Sequence, residues 1–182
     1  MKKILITGFG AFLKHEVNPA EKVALALKKE GYDVVILPVS YEGAKAEFAK
    51  IANLHSYDLI LSLGLASSRK YISLEQKAYN EMNAIHLDND GVRKMGDAIL
   101  PKQAKELATP FDLTKLQKAL AEKSIPSDIS TDPGRYICNE VYYLDLASGI
   151  PALFVHFPGL GQSSIEKDYL ATETLLDALK AL

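Results

Sequence analysis

A thiol acts as a nucleophile when its thiolate is stabilised and a base can take its proton. The one cysteine of this 182-residue chain, Cys138, falls in "STDPGRYICNEVYYL". Pro133-Gly134, an apolar pair and then helix-compatible sequence place it at or within the first turn of a helix. Free amides and the positive end of the helix dipole are expected to lower its pKa there. The alternative is a small packing residue, the common fate of a lone buried cysteine. His156, in "ALFVHFPG", stands near the carboxyl end of an otherwise apolar strand. Ligand and catalytic groups of open α/β sheets gather at such ends, whereas the plain alternative is a core histidine bonded to backbone. A thiol–imidazole pair needs a third, acidic or amide group to orient the ring. Glu75 in "YISLEQKAYN" is one candidate, although such a carboxylate is ordinarily exposed, and spacing does not choose between it, Asp58 and Glu140.

Other chemistries fit less well. Gly8 and Gly10 follow a short apolar run, as in a dinucleotide-binding turn. That turn needs a third glycine, an acidic residue ending the next strand and a helix starting at the glycines. Here the third position is Leu13, the next strand ends Leu37-Pro38-Val39-Ser40, and the helix starts only at Pro19. Asp88-Asn89-Asp90-Gly91 has a calcium-loop rhythm, but its glycine comes early and no glutamate closes the loop, so it reads as a turn. His15, His55, His86 and His156 show no paired ligand spacing, so no metal and no cofactor are expected. Arg69 reads as a solvated loop charge, with an anion contact as the alternative.

Composition sets wider bounds. A chain that is 48% hydrophobic fits a single domain over residues 1–182, able to bury about 70% of its unfolded surface. A net charge of −2, from 21 basic and 23 acidic residues spread along the chain, supplies no basic stripe for nucleic acid or anionic lipid. Apolar runs fall short of a membrane span, and "KILIT" is too short for a signal peptide. One cysteine permits no internal disulfide, which points to a reducing, cytoplasmic setting.

The elements that must position these groups alternate along the chain. Apolar strands are expected at 3–7, 33–39, 58–66 and 152–157. Helices are expected at 19–30, 41–55, 112–124, from 136 or 137 onward, and at 164–181. Asn18-Pro19 is a good helix start, with Val23, Leu25, Ala26 and Leu27 on the apolar side. Residues 71–76 alternate as a strand or hairpin arm, and 92–111 read as irregular. The fold class is α/β, a three-layer α/β/α sandwich with a mostly parallel, mixed central sheet.

Four blocks, in order, resemble the pyroglutamyl peptidases (pyrrolidone-carboxylate peptidases), cysteine exopeptidases that remove an N-terminal pyroglutamate. They are Gly8-Phe9-Gly10-Ala11-Phe12 with Asn18-Pro19; Gly64 to Arg69 with Ile72-Ser73-Leu74-Glu75; Ser130 to Asn139; and Phe154-Val155-His156-Phe157-Pro158. The resemblance implies Cys138 as nucleophile, His156 as general base and then acid, and Glu75 as the group holding the imidazole. It also implies a ring pocket walled by Phe9 and Phe12, closed by Tyr136 and Ile137, with backbone groups around Leu65 bonding the lactam. Such a pocket suits a flat, uncharged ring. The implied partners are a small peptide or acyl-amide substrate and further copies of the chain, as a dimer or tetramer. Two stretches depart from the family pattern. Ile85 and His86 stand where relatives carry arginine and isoleucine, that arginine serving the oxyanion side, and Leu13-Lys14 replaces two glycines. The alternative functions are a divergent homologue acting on another small acyl amide, or a binding module without catalysis.

Overall fold

The protein is described from a computed structural model covering residues 2–12, 17–51 and 54–182. Its centre is a six-stranded sheet in the order β2-β1-β3-β10-β4-β9. The strands are β1 (Ile4–Phe9), β2 (Asp33–Leu37), β3 (Leu59–Leu65), β4 (Ile72–Glu75), β9 (Ser127–Ser130) and β10 (Ala152–Phe157). All neighbours pair in parallel except β10 and β4, which run antiparallel.

The continuous apolar runs of β1, β3 and β10 follow from burial on both faces. Ile4, Ile6, Leu61, Leu63, Leu153 and Val155 face one layer, made by α1 (Pro19–Lys29), α3 (Leu113–Glu122) and α5 (Ile165–Lys180). Leu5, Phe9, Ile60 and Phe154 face the other, made by α2 (Tyr41–Ala49) and α4 (Ile137–Ala147). This is the expected three-layer α/β sandwich.

Gly8 has a packing role. A Cβ there would lie 3.0 Å from both the Ala20 carbonyl oxygen and the Ala24 Cβ, so glycine lets α1 close onto β1. Asn18 then caps α1, its side chain accepting from Ala20 N at 3.0 Å and donating to Gly10 O at 3.0 Å.

Several boundaries differ from the sequence reading. In α1, Leu25 is exposed, and Ala20 and Ala24 join Val23 and Leu27 on the buried side. The second helix stops at Ala49 and the second strand at Leu37. Residues 71–76 do supply a strand, β4, but no hairpin: it lies between β10 and the edge strand β9, whose sequence shows no strand-like pattern. The stretch read as irregular supplies β7 (Met95–Asp97) and β8 (Glu106–Ala108), which pair with β6 (Met82–Asn83) and β5 (Lys77–Tyr79). Asp88 holds the 88–91 turn, accepting from the backbone of Tyr41, Asp90 and Val92. Leu13-Lys14 and His15 lie outside the described residues.

Candidate active site

Strand register brings two of the chemistry-bearing side chains together. In the antiparallel β10–β4 pair, His156 stands opposite Ser73, and Phe154 opposite Glu75. His156 and Glu75 are therefore diagonal neighbours on one sheet face, within reach of long side chains. The His156 Nδ1–Glu75 Oε1 distance is 2.7 Å, with the residues 3% and 0% exposed. Glu75 thus departs from the ordinary exposed carboxylate. Asp58 lies before β3, at the other end of the sheet, accepting from Lys3 N at 2.7 Å. Glu140 is buried in α4 and away from the cavity lining; burial pushes its carboxyl up to about 8.

Cys138 comes from the opposite layer, as the second residue of α4. Tyr136 at the N-cap places no side-chain acceptor on the first-turn amides. On its far side His156 pairs with Gly64 of β3. A Cβ on Gly64 would sit 3.0 Å from Cys138 Sγ and 2.8 Å from the Phe154 ring. Glycine at this register position lets the thiol descend onto the sheet beside the histidine.

Arg69 corrects the sequence reading. It is no solvated charge: Nη2 reaches Glu75 Oε1 at 2.8 Å and donates to Asp132 O at 2.9 Å, with the side chain 22% exposed. The oxygen that meets His156 Nδ1 therefore also receives a guanidinium. Arg69 further ties the carboxylate to the loop preceding α4. The signal lay in the Gly64–Arg69 block, whose last residue had been given no role.

The thiol also departs from expectation. Burial pushes Cys138 up, to about 12, and the Glu75 carboxylate adds to the shift. Its own amide and Arg69 act in the opposite direction but are outweighed. For this thiol the cost of desolvation outweighs the pull of the helix terminus.

These groups open onto a cavity of about 590 Å³. Phe9, Phe12, Leu65, Tyr136, Ile137, His86, Cys138 and His156 all line it, and Glu75 lies behind His156. Asn18, Arg69 and the Asp132–Gly134 loop also contribute to the wall. Ile85 is outside the lining and 75% exposed, so the position where relatives carry arginine adds no wall here.

Comparison with known proteins identifies the family. Residues 2–181 match the pyroglutamyl peptidase family. A pyrrolidone-carboxylate peptidase of Pyrococcus furiosus is 34% identical, over 91% of this chain and 85% of that protein. One from Oceanobacillus iheyensis is 34% identical, over 87% and 84%. The crystal structure of the pyrrolidone carboxyl peptidase from Fervidobacterium islandicum superposes with a TM-score of 0.90 at 32% identity, covering 100% of this chain and 99% of that one. A register that seats a thiol over a histidine–carboxylate pair, inside a match running nearly end to end, places this chain in the pyroglutamyl peptidase family.

Proposed function

We propose that the protein hydrolyses the amide bond that follows an N-terminal pyroglutamyl residue, with Cys138 as nucleophile, His156 as proton carrier and Glu75 as the group orienting the ring. The observation carrying this reading is the 2.7 Å His156–Glu75 contact beneath a helix-start thiol. Nδ1 is held by Glu75, which leaves Nε2 to exchange protons with the thiol.

The substrate ring lies between Phe9, Phe12 and Tyr136. His156 takes the thiol proton as Sγ attacks the scissile carbonyl. The amides opening α4 receive the oxyanion that forms. Collapse breaks the C–N bond, and His156 gives the proton to the departing amine. Water, deprotonated by His156, then attacks the thioester; pyroglutamate leaves and the thiol is restored. Because burial favours the neutral thiol, nucleophile formation belongs to the substrate complex, where the imidazolium–Glu75–Arg69 array stabilises the transferred charge.

A pyroglutamyl coumarylamide tests the reading. The wild type releases the fluorophore, and Cys138→Ala abolishes release with little change in melting temperature. Retained turnover in Cys138→Ala, or binding of the amide without turnover by the wild type, overturns it.

A further inference from the structure

The helix that presents the thiol also reaches the carboxylate that orients the base. Cys138 and Tyr142 are one turn apart on the same face of α4. Tyr142 is fully buried, and its hydroxyl donates to the backbone carbonyl of Glu75 at 2.8 Å. Its ring packs on Phe154, centroids 5.6 Å apart and tilted by 50°. Phe154 in turn packs on the His156 ring at 4.7 Å. Tyr142 therefore touches the Glu75 main chain directly and braces His156 through one aromatic ring.

Glu75 is the last residue of β4, paired with Phe154 of β10 and Ser130 of β9, and its carboxylate carries both His156 and Arg69. The β10–β4 pairing stops at Glu75, while the next residue, Gln76, still donates to Ser130 O on the β9 side, so the Tyr142 hydroxyl supplies the hold on the side where the ladder ends. Building on the triad reading above, we infer that Tyr142 is a positioning residue. Its hydroxyl locks the carboxyl end of β4 to the nucleophile helix, so that thiol, imidazole and carboxylate keep a fixed mutual geometry. No proton passes through it.

An internal comparison is built into the same helix. Tyr143, also buried, donates to the Ala104 carbonyl at 2.6 Å, a similar bond directed away from Glu75. Tyr142→Phe and Tyr143→Phe each delete one such bond without changing volume. Tyr142→Phe is expected to lower kcat by about tenfold with KM within about twofold, and to shift the acid limb of the kcat/KM–pH profile. Tyr143→Phe keeps kcat within about twofold and leaves the profile in place. Combined with Glu75→Gln, Tyr142→Phe adds less than its separate effect, since the hydroxyl acts through that residue. Wild-type turnover tests the triad reading; the difference between the two tyrosine variants tests this one. If the wild type does not turn over, the pH dependence of Cys138 alkylation by iodoacetamide in both variants is the readout. A midpoint displaced only in Tyr142→Phe supports the inference. Equal kcat and equal pH profiles in the two variants, or equal alkylation midpoints, overturn it.

Discussion

Gly64 stands directly opposite His156 in the parallel pairing of β3 and β10, and the space a Cβ would need there is already taken by Cys138 Sγ and the Phe154 ring. The thiol is positioned by a missing side chain as much as by the helix that bears it.

Gly64→Ala is therefore expected to inactivate before it unfolds. The added methyl must displace either the thiol or Phe154, and a misplacement of about 1 Å costs about 100-fold in rate. The packing cost is about 1–3 kcal/mol. Steady-state kinetics alongside thermal melting would show kcat falling much further than stability.

Arg69→Gln should lower kcat by about 10- to 100-fold, since the Glu75 oxygen then meets only His156 and the Asp132 loop loses its tie. Removing one partner of a buried pair costs about 3–5 kcal/mol. Here the figure lies at or below the low end, because Arg69 is 22% exposed and His156 remains. Arg69→Lys should recover little, as the shorter side chain does not carry its ammonium to the point where Arg69 Nη2 meets both acceptors. Michaelis kinetics on the two variants check this.

The thiol gives a prediction with a definite sign. Burial and the Glu75 carboxylate both favour the neutral form. Alkylation of Cys138 by iodoacetamide without substrate should be slow at neutral pH, its midpoint lying above the free-thiol value of about 8.5. Glu75→Gln removes the like charge and should bring the midpoint down. A wild-type midpoint below that of a free thiol would contradict the assignment.

Stability should fall as pH rises towards the alkaline side. Burial raises Asp145 to about 7, Asp168 to about 6 and Glu140 to about 8. Unfolded carboxyls titrate near about 4. Between these limits the folded state holds more protons than the unfolded one, so unfolding free energy decreases from about pH 4 up to about pH 8 and then levels. Asp145 contributes strongly: it is fully buried, and Ser62, itself accepting from Thr7, donates to one of its oxygens at 2.6 Å. Its other oxygen has no partner among the described residues. Asp145→Asn should flatten the decline in melting temperature across this range.

What could be read from the sequence tracks what local pattern encodes. β1, β3 and β10 were legible because strands covered on both faces are continuously apolar. The start of α1 was legible because Asn18-Pro19 carries its own capping chemistry. β9, Ser-Asp-Ile-Ser at the sheet edge, has no such signature, and the short pairs inside 77–108 are defined by their partners. Individual site residues could be nominated, but their surroundings could not. Arg69 looked solvated because Asp132 is distant in sequence, and because Glu75, although only six residues on, meets it through the fold and not through a local pattern. The Cys138 thiol looked acidic because the helix terminus is a local feature, whereas burial depends on the layers packed around it.

The strand order carries a consequence for synthesis. Among the described residues β10 comes after every other strand, yet it fills the gap between β3 and β4 at the centre of the sheet. Until it emerges from the ribosome, the earlier strands have no bridge, and Glu75 has no histidine to hold. Closure of the sheet and assembly of the His156–Glu75 pair are then a single event, set by the strand that comes last in sequence.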